Sequence, residues 1–158
     1  MRTILASALL VVACGACGSR EPEPNGIGPY VLGKTRLVDG KISFRCEPGG
    51  ELTHCFGGPE VAVGTQAAQV DLYFAGTGDD APLAEIFLSV RACRTDEVGQ
   101  AMAQALGPPG EQAETRMLWN RKLVFVEAKL PAPGGSACEL SFVDPKDTKR
   151  VAELKAGR

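Results

Sequence analysis

The chain has 158 residues, 23% of them charged, and a formal net charge of −2 that becomes −3 if Arg2 leaves with a leader. That balance excludes electrostatic capture by nucleic acid or by an anionic membrane surface. With 19 glycines and 11 prolines, short strands and many turns are favoured over a helical bundle, and the length suits one core rather than two.

The first element is a targeting segment. Arg2 supplies a positive start, and the apolar run 4–12 is too short to cross a bilayer stably. Small residues then lead into Cys14 and again into Cys17, and this stretch resembles the lipobox of bacterial lipoproteins. The resemblance implies that residues 1–16 form a signal peptide and lipobox region, and that one cysteine takes a diacylglyceryl group and becomes the new N-terminus. Position points to Cys14, preceded by Val11, Val12 and Ala13; parity points to Cys17, because the discarded Cys14 would leave Cys46, Cys55, Cys93 and Cys138 as an even set. Cys14 is the expected lipidation site, with Cys17 as the alternative. Glycine follows each of them, so by analogy with enteric lipoproteins no aspartate retention signal is present and the outer membrane is the expected destination.

Residues 17–29 carry charge, Pro and Gly with almost no apolar surface, and read as a flexible tether reaching about 20 Å. Residues 30–158 are expected to form a single α+β domain: mainly antiparallel sheet, with one clear helix at 95–106 packed on it.

Within that domain, Ile42 and Phe44 alternate with Ser43 and Arg45 as a short strand would. Pro48, Gly49 and Gly50 demand a turn between Cys46 and Cys55, which brings the two thiols within bridging reach. His54 adjoins Cys55, but one histidine without a CxxC pair does not make a zinc site, so no metal or other cofactor is expected. Val70, Leu72 and Phe74 share one face of a strand, and Ala84, Ile86, Leu88 and Val90 repeat the pattern after the 76–82 loop, predicting a hairpin. Asp79 and Asp80 in that loop lack the EF-hand spacing and read as solvated turn acids.

The helix at 95–106 has Thr95 as candidate cap, Asp96 and Glu97 in its first turn and an apolar stripe of Val98, Ala101, Met102 and Ala105. Gly107 stops it, and Pro108 and Pro109 forbid its resumption. After a loop over 107–114, strands are predicted at 117–119 and 122–130 around a tight turn at Asn120 and Arg121. The run 123–126 is apolar on both faces, which marks a strand covered on both sides. Pro131 to Gly135 is another turn. Cys138, Leu140 and Phe142 make the last strand, and Asp144-Pro145 opens a short helix whose charged 146–150 segment reads as a solvated face.

Four cysteines in an oxidising compartment allow three pairings. Cys46 with Cys55 and Cys93 with Cys138 is the expected one, because it keeps each bridge within one half of the domain; Cys46 with Cys93 or Cys138 would lace the halves together.

An internal echo runs through the chain: Phe56-Gly57-Gly58-Pro59 and Leu106-Gly107-Pro108-Pro109 each precede strands. This pattern resembles the tandem helix-plus-sheet units of the β-lactamase-inhibitor and SmpA/OmlA lipoprotein folds. The first half departs from it, since 47–54 carries Pro and two glycines where a longer helix would stand. No functional residue is carried over.

Catalysis finds no support in these residues. A serine nucleophile needs a histidine base, and the sole histidine, His54, sits beside a cysteine expected to be oxidised. Glu60, Asp71, Glu85 and Glu127 are conceivable acid–base groups but read as the wet face of a sheet. The expected function is a lipid-anchored cell-envelope protein acting as a non-catalytic binding or scaffolding module with an exposed antiparallel face as its contact surface, held to the membrane by its N-terminal lipid and meeting an envelope protein partner. The alternative is a proteinaceous inhibitor or protective factor acting on an envelope hydrolase.

Overall fold

Apolar residues at alternate positions of long strands force a layered domain, and the computed structural model, which describes residues 24–157, is α+β with a mostly antiparallel sheet. The chain enters through a two-residue hairpin, β1 (Gly26–Ile27) pairing β2 (Tyr30–Val31). The fold therefore takes up part of the expected 17–29 tether. Leu32 donates its amide to the Asn25 carbonyl at 3.0 Å, and Ile27 packs against the core. One isoleucine in a polar stretch has no periodicity, so its burial is invisible locally.

The expected strand through Ile42 and Phe44 is instead a helix, α1 (Leu37–Ser43), followed by strand β3 (Arg45–Gly49). Its start is capped locally, the Arg36 amide donating to Asp39 Oδ2 at 3.0 Å, and tertiary bonds hold it further: the Leu37 and Val38 amides donate to carbonyls of Ala81 and Asp79, and Lys41 pairs with Asp79 at 2.7 Å. Ile42 is left 80% exposed. The 76–82 loop is thus solvated, as expected of its acids, yet it also docks the helix.

Gly40 lets α1 lie against the sheet. A Cβ there would stand 3.0 Å from two atoms of the Phe74 ring, which is itself fully buried. Gly40→Ala is expected to cost about 1–3 kcal/mol by overpacking, although alanine favours helix by about 1 kcal/mol. Urea titration checks this; an unchanged or raised midpoint would show that the ring can move aside.

β3 turns at Gly50 (φ +75°) into β4 (Leu52–Phe56), where Cys46 lies opposite Cys55 and the two form a disulfide with Cα atoms 4.0 Å apart. β5 (Val61–Val63) pairs with the start of β6 (Gln66–Ala75), which forms the expected hairpin with β7 (Leu83–Val90). A register shift at Tyr73/Phe74 places Phe74 opposite Leu83 while Tyr73 remains opposite Glu85. Leu83, not Ala84, therefore faces the core, a consequence of the bulge that simple alternation cannot foresee.

The second helix, α2, spans Thr95–Leu106 and stops at Gly107 (φ 78°), as its residues predict. Val98, Met102 and Leu106 are its buried stripe, with Leu106 in place of the exposed Ala105. Each such side chain contributes about 1.5–3 kcal/mol when fully buried. Thr95 is not the cap. Arg94 precedes the helix, and its amide donates to Gln66 Oε1 at 2.7 Å. Glu97 accepts from the Thr65 hydroxyl and from Arg94, bonds that hold its carboxyl below the usual range.

A short edge strand, β8 (Glu111–Ala113), lies in the expected 107–114 loop and pairs with β9 (Arg116–Asn120). The turn after β9 is longer than expected, running from Arg121 to Val124, so β10 begins later (Phe125–Lys129) and Leu123 is exposed at the turn. β11 (Cys138–Val143) follows, and Cys138 bonds Cys93 with Cα atoms 5.6 Å apart, pinning the segment before α2 to the start of β11. The last helix, α3 (Thr148–Lys155), is capped by Asp147, which accepts from the Arg150 amide, rather than opening at Asp144.

The strand order is β3-β4-β6-β7-β11-β10-β9-β8, with every pairing antiparallel. Each half is a helix followed by a meander: α1 with β3, β4, β6 and β7, and α2 with β8 to β11. The last strands of the two meanders, β7 and β11, meet in the middle. Each disulfide stays within its own half.

One face of the sheet carries the core, where Val70, Leu72, Ile86, Leu88, Leu140 and Trp119 pack with α1 and α2. On the opposite face α3 lays Leu154 and Val151 over Leu118, Phe125 and Val143. β10 is thereby covered on both sides, as its doubly apolar run predicts.

Candidate functional site

The uncovered part of that opposite face belongs to the first half. Strand periodicity puts His54 and Phe56 of β4, Asp71 and Tyr73 of β6, and Phe87 of β7 on it, and all five are half-buried. His54 lies opposite Tyr73 in the register, and the two rings stack with centroids 4.6 Å apart and planes 4° from parallel. Phe56 adds a tilted neighbour 5.0 Å from the imidazole, and Arg45 covers Phe56 at 5.7 Å while bonding Glu47 at 2.7 Å. Asp71 Oδ2 meets His54 Nε2 at 3.0 Å and fixes the ring in its own plane.

Two shallow cavities flank the Tyr73–His54 stack. One, about 610 Å³, lies between the sheet and α3 and is lined by Glu51, Leu52, Tyr73, Glu85, Phe87 and Arg150 among others. The other, about 670 Å³, borders His54, Phe56, Asp71 and the Gly57–Gly58 loop. Burial, and then the carboxylates Asp71 and Glu85, push the Tyr73 phenol above its usual range, so it stays a neutral hydrogen-bonding group at physiological pH.

The four acids that sequence reading placed on a wet sheet face divide. Glu60 is exposed, and Asp71 takes His54. Glu85 and Glu127 are buried, which corrects the expectation. Arg150 reaches Glu85 with two bonds of 2.8 and 2.9 Å, and Arg116 reaches Glu127 at 2.7 Å. Arg150 is therefore not part of a solvated helix face, while residues 146–149 are exposed. Its guanidinium is held still more firmly protonated than usual, chiefly by the bond to Glu85. The Glu85 pair clamps α3 onto the sheet, the Glu127 pair joins β10 to β9, and each carboxylate is engaged by a separate arginine. No simple spacing rule links residue 85 to residue 150, so only the fold could reveal the pairing.

His54 and Asp71 together orient an imidazole, but among the described residues the one side-chain hydrogen bond of His54 is to Asp71. The arrangement presents flat rings edged by carboxylates, a form suited to recognition by stacking and charge. No group of three metal-ligating side chains occurs among the described residues, and no helix there is long and apolar enough to cross a membrane. The expected lipidation sites, Cys14 and Cys17, lie outside the described residues. Compared with known proteins, the chain matches no family model, no curated protein and no solved structure.

Proposed function

We propose that this is a lipid-anchored cell-envelope protein whose domain is a non-catalytic binding or scaffolding module, with the open sheet face as its contact surface. The observation that carries the reading is the half-buried strip of Phe56, His54, Tyr73 and Phe87, left without a covering element among the described residues. Apolar and aromatic surface gathered on one face and rimmed by charge is the composition of an interaction site. Two disulfides, each with one buried and one half-buried cysteine, support an oxidising compartment, and the lipobox-like residues around Cys14 and Cys17 support attachment to a membrane facing it.

A second reading, an inhibitor of an envelope hydrolase, draws on the doubled helix-and-meander construction, although the echoed segments differ in place, Phe56 ending strand β4 and Leu106 ending helix α2. One sheet running through both halves offers a broad platform to a folded partner.

Mass spectrometry of the membrane-extracted protein is expected to give an acylated N-terminal peptide beginning at Cys14 or Cys17; a soluble mature form lacking both would contradict the anchor. Affinity capture from envelope extract then separates the two functions. An active hydrolase that loses activity in the eluate supports inhibition, whereas porins, assembly proteins or peptidoglycan support scaffolding.

A further inference from the structure

The open face is also where the protein concentrates negative charge. The residues lining its two cavities include seven carboxylates against two cationic side chains, an excess larger than the net charge of −2 carried by the whole chain. Part of this is engaged within the face, since Arg150 takes Glu85 and Glu153, Arg45 takes Glu47 and His54 meets Asp71. Glu51 and Glu60 are exposed and take no ion pair among the described residues. Anionic rims beside exposed ring faces attract cations twice, through the carboxylate charge and through the negative face of the aromatic ring.

The chain already makes this arrangement once with its own residues. Arg45 lies over Phe56 at 5.7 Å while Glu47 holds it at 2.7 Å. Tyr73 has similar carboxylate neighbours, and among the described residues no cation lies over its ring; Arg150, in the same cavity, is engaged by Glu85 and Glu153. Tyr73 lines one cavity with Glu51 and Glu85, and His54, with Asp71 beside it, stacks on it from the neighbouring strand.

We propose that the open face receives a protruding loop of a folded protein partner that bears lysine and arginine, with a cationic side chain laid against Tyr73 and its neighbours held by the carboxylate rim. This rests on the open face being the contact surface, and names what it contacts. Anionic lipid and nucleic acid are disfavoured because the rim repels them. Two copies meeting face to face would set the same acidic rims against each other.

Zero-length carbodiimide coupling in intact envelopes tests this, because the reagent joins a carboxylate to a lysine amine only where the two are in contact. The full chain is compared with Tyr73→Ala and with the exposed charge reversals Glu51→Lys and Glu60→Lys, which leave every internal ion pair intact. The expected result is an adduct joining Glu47, Glu51 or Glu60 to a lysine of another protein. Read at Glu47, a carboxylate that every variant keeps, the yield should fall about tenfold with Tyr73→Ala and with each charge reversal, and fall again when salt is raised from about 0.1 to 0.5 M. Adducts that form only through carboxylates elsewhere on the domain, or whose yield ignores all three substitutions, overturn the cationic-loop proposal while leaving a binding module in place. Adducts from the open face to a lysine of a second copy of this chain overturn it in favour of self-association. If no adduct forms and no protein is retained in affinity capture, the binding reading falls with it.

Discussion

Replacing Cys93 and Cys138 together with alanine is expected to lower the unfolding free energy by about 4 kcal/mol, against about 2–3 kcal/mol for the same change at Cys46 and Cys55. The difference follows from the chain closed by each bridge: 45 residues separate the first pair and nine the second. A longer loop restricts the unfolded ensemble more. The long bridge also has more to hold, because it pins the segment before α2 to β11, which lies beside the centre of the sheet. Cys46 and Cys55, by contrast, are already opposed in a hairpin whose turn brings them together. Urea unfolding of the two double variants gives the comparison. Equal losses would mean that native-state strain or residual structure, rather than loop entropy, sets the value of each bridge. Peptide mapping without reductant should recover both pairs.

Arg116→Met is expected to destabilise the domain by about 3–5 kcal/mol, as removal of one partner of a buried ion pair does. Glu127 is 1% exposed on β10, and its closest cation is Arg116 at 2.7 Å, with Lys129 at 4.0 Å. The Arg116 guanidinium also donates to the carbonyls of Leu154 and Lys155, so it ties the last turn of α3 to the sheet. Losing it strands a carboxylate in the interior and frees a helix end together. The double variant Arg116→Met with Glu127→Leu should regain most of the loss, because an apolar pair of similar volume needs no charge compensation. A double-mutant cycle measures the coupling. A cost below about 1 kcal/mol for the single variant would place the pair among weak, solvated ion pairs.

α2 was legible in the sequence to its last residue because its determinants are local: an apolar stripe at helical spacing, acids at the start and a glycine at the end. The β6–β7 hairpin was legible for the same kind of reason, since two strands with one buried face carry a period of two. Both disulfides follow from the turn at 48–50 and from keeping each bridge within a half.

The misread stretches share a physical cause. α1 has seven residues with a glycine among them, too few to show a helical period, and it is held by the 76–82 loop nearly forty residues away. Glu85 and Glu127 occupy positions that alternation assigns to solvent, and only the return of α3 over the sheet makes those positions interior. The candidate contact face was half legible. Sequence reading foresaw an exposed antiparallel face, but His54 was noticed for its neighbouring cysteine rather than for its cross-strand partner.

By itself, then, the sequence determined what depends on near neighbours: the α+β class, the central helix, the main hairpin and the cysteine loops, because backbone propensity and periodicity act over a few residues. The tertiary structure decided which polar residues are buried, which helix covers which face, and that His54, Phe56, Tyr73 and Phe87 form one aromatic strip. Those outcomes depend on strand order and register, which join residues such as 54 and 73 or 85 and 150 across the sheet and have no period along the chain.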